Sequence, residues 1–248
     1  MIKLIAAVIM LLDHIGLVLQ HSPDIYFPLR LIGRISMPLY AYSVARGYAY
    51  SKAHGTTVKY IKNLAIFSAV SQLPYYLLVR DGLNIGFTWL LSVFILINYD
   101  ALKGPVYSAM RRSGPDKELG EVKKSFLAKY RVFLLLSPLL AILCFLLVSE
   151  LLRVDYGVSA IVLCFVFYIL EQKQDRSFRS YLFAVLLSCL IHFVIHKGSL
   201  LQIFALLGVP VLLWAQECDD FLRLPKWFFY VFYPAHMAVL YAVSQIIY

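Results

Sequence analysis

Nine apolar runs follow one another along the chain, at 3–20, 30–49, 60–79, 83–98, 131–151, 155–171, 181–196, 199–215 and 227–247. A helix needs about 20 predominantly apolar residues to cross the hydrocarbon core of a bilayer, and backbone polar groups at that depth must be satisfied within the segment. The pattern predicts an all-α, polytopic transmembrane helix bundle of about nine spans, with residues 1–248 as a single membrane domain. Composition agrees: AVILMFWYC residues make up 61% of the chain and charged residues 15%, with a mean hydropathy of +0.76. Soluble domains lie nearer half apolar and a quarter charged, and a soluble globule cannot hide this many large apolar side chains. The fourth run is short and opens with the polar, flexible LNIG (83–86), which predicts little tilt or a re-entrant start. The first run is interrupted by Asp13 and His14 and has no small-residue cleavage site, so it reads as an uncleaved span rather than a signal peptide.

The chain carries 23 Lys and Arg against 14 Asp and Glu. In a soluble protein that excess would point to nucleic acid, but such a footprint needs a folded basic face, and these loops supply none. No nucleic-acid partner is expected. Basic residues are instead retained on the cytoplasmic side during insertion. With nine spans, 18 of the 23 fall on one side, among them Lys3, Arg46, Lys52, Lys59, Lys62 and eight in the long 99–130 connection counted through Arg131. Only five, Arg30, Arg34, Arg80, Arg153 and Lys197, fall on the other. The asymmetry predicts a cytoplasmic N-terminus and a C-terminus outside. Cys144, Cys164 and Cys189 lie in apolar runs and Cys218 in a short charged loop; they lack metal spacing, and no disulfide framework is expected.

Ionisable side chains at membrane depth cost several kcal/mol and are functional candidates by default. At a rise of about 1.5 Å per residue, His14 lies roughly 16 Å from the inner end of the first span and His236 roughly 14 Å from that of the ninth. A neutral imidazole there can accept a proton; the plainer reading is an interhelical hydrogen bond. Asp13 and His14 point about 100° apart on a helix, so no direct bond between them is implied. Arg30 and Arg34, four residues apart, stack on one face at the outer start of the second run. Two guanidiniums so placed repel unless something anionic lies between them, and Arg suits planar, bidentate partners. Arg30 alone also fits a residue that snorkels to the interface. Pro234, two residues before His236, removes a backbone donor and allows a kink. Asp155, at the outer mouth of the sixth span, fits either a substrate contact or a helix N-cap. His192 and His196 share the spacing of a metal pair, but no HExxH motif or third ligand accompanies them, and no metal is expected. Without a Walker motif, a dinucleotide loop or a GxSxG elbow, any catalysis must use the bundle itself.

The segments IAAVIMLLDHIG (5–16), LRLIGRISMPLYAYSVARGY (29–48), SQLPYYLL (71–78) with LNIGFTWLL (83–91), VDYGVSAIVL (154–163), LQIFALLG (201–208) and FYVFYPAHMAVLY (229–241) resemble, in order, the TraX family of integral-membrane acetyltransferases, named for the F-pilin N-acetylase. The resemblance covers almost the whole chain. It implies transfer of an acetyl group from cytosolic acetyl-CoA to an amine or hydroxyl acceptor (a peptide N-terminus, a sugar or a small molecule) in a bacterial inner membrane. By position, the DHIG motif falls on Asp13 and His14, the IGR motif on Arg34 with Arg30 before it, and YPAH on His236. Where a Tyr-Asn-Gly-type loop is expected after the eighth run, this chain has LLWAQECDDFLRLPK (212–226).

The residues read by themselves point the same way. Acyl transfer in a membrane needs a base level with the reacting carbonyl, which His14 or His236 would provide. It needs positive charge where the thioester oxygen becomes anionic, a task for Arg34. The phosphates of CoA need cations on the inner side, where Arg46, Lys52, Lys59, Lys62, Arg111 and Arg112 cluster. Direct attack by the acceptor and a transient acetyl-His are both open. The rival class, a secondary transporter or proton-coupled permease, also uses midplane His, Asp and Arg residues, but no inverted repeat relates the two halves. A scaffold would account for the hydrophobicity and not for two deep histidines and an arginine pair.

Overall fold

The computed structural model describes residues 1–103, 137–196, 200–218 and 225–247. Its helices are α1 (Ile2–Val18), α2 (Pro23–Gly33), α3 (Ser36–Ala53), α4 (Thr57–Val79), α5 (Ile85–Lys103), α6 (Ser137–Leu151), α7 (Gly157–Gln172), α8 (Phe178–Ile195), a 3₁₀ turn (Leu201–Leu207) running into α9 (Gly208–Glu217), and α10 (Lys226–Ile247). Among the described residues there is no strand, only an isolated bridge between Leu83 and Val154. The all-helical expectation holds.

Two apolar runs are broken, and proline sets each break. In a continuous helix Pro38 would have to donate to the carbonyl of Arg34; it has no N–H, and its ring crowds that carbonyl. The run expected at 30–49 therefore splits into α2 and α3, with Arg34 N and Ile35 N donating instead to Leu31 O (3.3 Å) and Ile32 O (3.0 Å), three residues back. Pro210 denies a partner to Leu206 in the same way, and there the 3₁₀ turn gives way to α9. The LNIG segment leads directly into α5. Asn84 caps α5, its Oδ1 accepting from Gly86 N at 2.8 Å, while its Nδ2 donates to Ser68 O (2.8 Å) and Gln72 Oε1 (2.9 Å).

Among the described residues three helices, α5, α8 and Trp227–Ile247 of α10, are long and apolar enough to cross a membrane; α6, α7 and Leu201–Glu217 are shorter apolar helices. This is fewer than the nine spans expected: two runs are broken, α1 stops at 17 residues and α7 at 16, α6 is also short, and α4, long enough at 23 residues, is not apolar enough. The outer surface nonetheless suits lipid: Leu73, Leu147, Phe183 and Val239 are 61–68% exposed, while Asp13, His14, Arg34 and His236 are each under 10%. Apolar outside and charged inside inverts the distribution of a water-soluble protein.

Helix α3 occupies the middle, packed against α1, α4, α5, α7 and α9. At one end of the bundle Asp100 of α5 accepts from Tyr48 Oη (2.8 Å), Tyr168 Oη (2.7 Å) and Lys52 Nζ (2.8 Å), tying α3, α5 and α7 together. At the other end Asp155 N donates to Leu83 O (3.0 Å) and Thr88 Oγ1 to Asp155 O (2.7 Å), which fixes the loop before α7. Asp155 is not the N-cap of α7. Tyr156 holds that position in a left-handed conformation (φ 61°), and the Glu150 carboxylate accepts from Val158 N at 2.9 Å.

Candidate functional site

Helices α1 and α2 form a hairpin whose approach depends on two glycines. A methyl at Gly16 would lie 2.9 Å from Leu29 Cβ, and one at Gly33 would overlap the Asp13 carboxylate. With Gly33 bare, Asp13 reaches across α2. Its Oδ2 accepts from Arg30 Nη1 at 2.6 Å and its Oδ1 from Arg34 Nη2 at 3.3 Å. The anion that the arginine pair requires is thus the chain's own Asp13, and one carboxylate between two guanidiniums leaves a net positive charge. Arg34 directly follows α2, and its Nε donates to Arg30 O at 3.2 Å, one of the carbonyls a helix leaves unpaired at its C-terminus. Its guanidinium lies 5.4 Å from the ring centre of Tyr156, within cation–π range.

His14 faces away from this cluster, toward α10. Its Nδ1 lies 2.8 Å from Nε2 of His236, with the rings 18° from parallel. The two residues, given similar distances along their helices by helix rise, are in direct contact. Hydrogen positions follow from the next contact, because His236 Nδ1 lies 2.7 Å from Phe232 O. A carbonyl only accepts, so His236 Nδ1 carries a hydrogen and, in the neutral ring, Nε2 offers its lone pair. The hydrogen between the rings then belongs to His14 Nδ1. Neutral His14 is left with a lone pair on Nε2.

His14 lines a cavity of about 30 Å³, room for about one water. Asp13, Tyr40, Asp155, Tyr156 and Tyr233 share its wall, and Met10, Met37, Ile85 and Trp89 are among the apolar residues that complete it. Arg30, Arg34 and His236 do not line the cavity; they contact Asp13 and His14, which do. The tyrosines went unassigned in the sequence. Tyr233 had a usable signal, since it precedes His236 by three residues and so shares its helix face; nothing in the pattern separates Tyr40 or Trp89 from the other aromatic residues.

The cationic candidates are not brought to His14. Lys52 is paired with Asp100, Lys59 and Lys62 are exposed at the start of α4, and Arg46 is half-buried on α3. Arg111 and Arg112 lie outside the described residues, as does most of the 99–130 connection. The His192 and His196 rings are tilted by 38° with centres 4.2 Å apart, and His192 Nδ1 is 3.4 Å from Ser159 Oγ. Among the described residues no three His, Cys, Asp or Glu side chains are placed to hold a metal ion.

Apolar helices outside, with an ion triad and paired imidazoles inside, define a class: a helical protein suited to a membrane, its polar groups gathered at the centre. Residues 1–244 match the TraX protein family, and the chain belongs to that family. No curated protein and no solved structure matches it.

Proposed function

We propose that this TraX-family protein is a membrane-embedded acetyltransferase, moving the acetyl group of cytosolic acetyl-CoA to an amine or hydroxyl acceptor at or across the membrane. The observation that carries this reading is the lone pair of His14 Nε2, on an imidazole whose other nitrogen is tied to His236, beside a cavity. Acyl transfer needs a group that takes the proton of the attacking N–H or O–H, and a positioned base contributes about 10²–10⁴-fold. His236 orients the His14 ring and accepts the Nδ1 hydrogen bond that strengthens as His14 becomes positive, the part an orienting partner plays for a catalytic histidine. A transient acetyl-His14 would use the same Nε2 as nucleophile. The net positive charge of Asp13, Arg30 and Arg34 favours the electron-rich oxygen of the reacting carbonyl. In this reading Asp155, which lines the cavity, meets the acceptor.

The donor enters from the inner face in this reading, its phosphates held by Arg46, Lys52, Lys59, Lys62, Arg111 and Arg112. Purified protein given acetyl-CoA is expected to release free CoA, followed with a thiol reagent, with a KM that rises with salt because exposed charge pairs are screened. Absence of CoA release would overturn the reading; a transporter would bind a substrate without breaking a thioester.

The same reading has nine spans in a bacterial inner membrane, N-terminus inside and C-terminus outside, supported by the distribution of 18 against five basic residues. Ile247→Cys in a cysteine-free background should react with an impermeant maleimide on intact cells. Protection from the reagent would remove one span.

A further inference from the structure

Among the described residues, Arg30 Nε, Tyr42 Oη, Ser71 Oγ, Glu171 Oε2, the Gln202 amide and Tyr233 Oη are buried polar groups without a hydrogen-bond partner. Only Tyr233 of these lines the His14 cavity. It is 3% exposed, and its ring stands edge-on to both imidazoles, with centres 6.0 Å from His14 and 5.5 Å from His236. Its hydroxyl is in electrostatic range of Asp155, Tyr75, Tyr40 and Tyr156, three of which share the cavity wall. An unpaired buried hydroxyl costs free energy, and most buried polar groups avoid that cost. A donor left unpaired on a residue that shares a cavity wall with His14 is explained if its partner arrives with the substrate.

We propose that Tyr233 Oη–H is the hydrogen-bond donor to the oxyanion formed when the acyl carbonyl is attacked beside His14. The inference rests on the acetyltransferase reading. In the step, the acceptor's nucleophilic atom bonds to the thioester carbon, its proton passes to His14 Nε2, and the carbonyl π pair moves onto oxygen. Tyr233 donates to that oxygen. The π bond then reforms as the carbon–sulfur bond breaks, and CoA leaves as thiolate, taking up the proton from His14. Arg34 is less suited to this contact, because its Nε and Nη2 are already engaged by Arg30 O and Asp13 and it does not line the cavity.

The test compares wild type, Tyr233→Phe and Ser71→Ala as purified full-length protein, with acetyl-CoA as probe, CoA release as the rate and thermal melting as the second readout. Tyr233→Phe is expected to lower kcat about 10²–10³-fold, the cost of one oxyanion donor, with KM within about threefold. Its melting temperature should equal or exceed that of wild type, since the change removes an unsatisfied group. Ser71→Ala, which loses a buried unpaired hydroxyl away from the cavity, should keep wild-type kcat. A Tyr233→Phe protein with more than about a third of wild-type kcat, far above the expected loss, would overturn the assignment. So would one that melts earlier or fails to fold, because the hydroxyl would then have a structural partner. Wild type that releases no CoA would overturn the acetyltransferase reading and this role with it; active wild type beside an equally active Tyr233→Phe would remove only the role of Tyr233.

Discussion

His14→Ala is expected to lower CoA release from acetyl-CoA by about 10²–10⁴-fold, the contribution of a positioned general base, while leaving acetyl-CoA binding intact. The separation of the two effects comes from distance: in the proposed topology the phosphate contacts lie at the inner face and His14 roughly 16 Å further along α1. In the folded protein the substitution removes one hydrogen bond, that to His236 Nε2, and leaves that nitrogen facing the enlarged cavity, where a water can satisfy it. The variant should therefore fold. A folded His14→Ala protein that keeps more than about a tenth of wild-type turnover would remove His14 from the mechanism and make His236 the next residue to test.

Asp13→Leu should be the most damaging change to stability. It leaves Arg34, with a side chain only 10% exposed, beside Arg30 with no carboxylate between them. Removing one partner of a buried ion pair costs about 3–5 kcal/mol, because the remaining charge is uncompensated. For a chain of this size that corresponds to a fall in melting temperature of about 6–20 °C. Adding Arg34→Met should recover much of the loss, since replacing both buried partners by apolar groups is often close to neutral; Arg30, 21% exposed, can turn its head toward the interface. Recovery should not extend to turnover. A single Asp13→Leu variant that melts within about 2 °C of wild type would mean that the triad contributes little to holding α1 against α2.

Much of the centre was legible in residue spacing. The i, i+4 placement of Arg30 and Arg34, with the repulsion between them, called for an anion, and the rise per residue put His14 and His236 at one depth. The identity of the anion was not legible, because it depends on how closely α1 and α2 approach, which Gly16 and Gly33 permit only in three dimensions. Hydropathy located most helices but passed over the breaks at 34–35 and 206–208. Those were encoded by Pro38 and Pro210, whose effect falls four residues upstream, inside runs that remain apolar. LNIG looked irregular because Asn84 is polar, and only its partners Ser68 and Gln72 on α4 make it a buried cap. Tyr233 is one of 18 tyrosines, and what distinguishes it is a missing bond on a residue of the cavity wall, which no sequence pattern records.

The separations along the chain impose an order in time on the assembly of the centre. Asp13 is 17 and 21 residues from its two arginines, whereas His14 is 222 residues from His236. At about 5–20 residues per second of synthesis, the ion triad can close within about 1–4 s of the appearance of Asp13, while His14 waits about 10–45 s for its partner to be made. Charge is matched early, when it would otherwise oppose insertion of the first helices. The imidazole tautomer is set late, once α10 joins α1. A chain released before that point would carry neutralised charges and a His14 ring free to turn, with either nitrogen protonated.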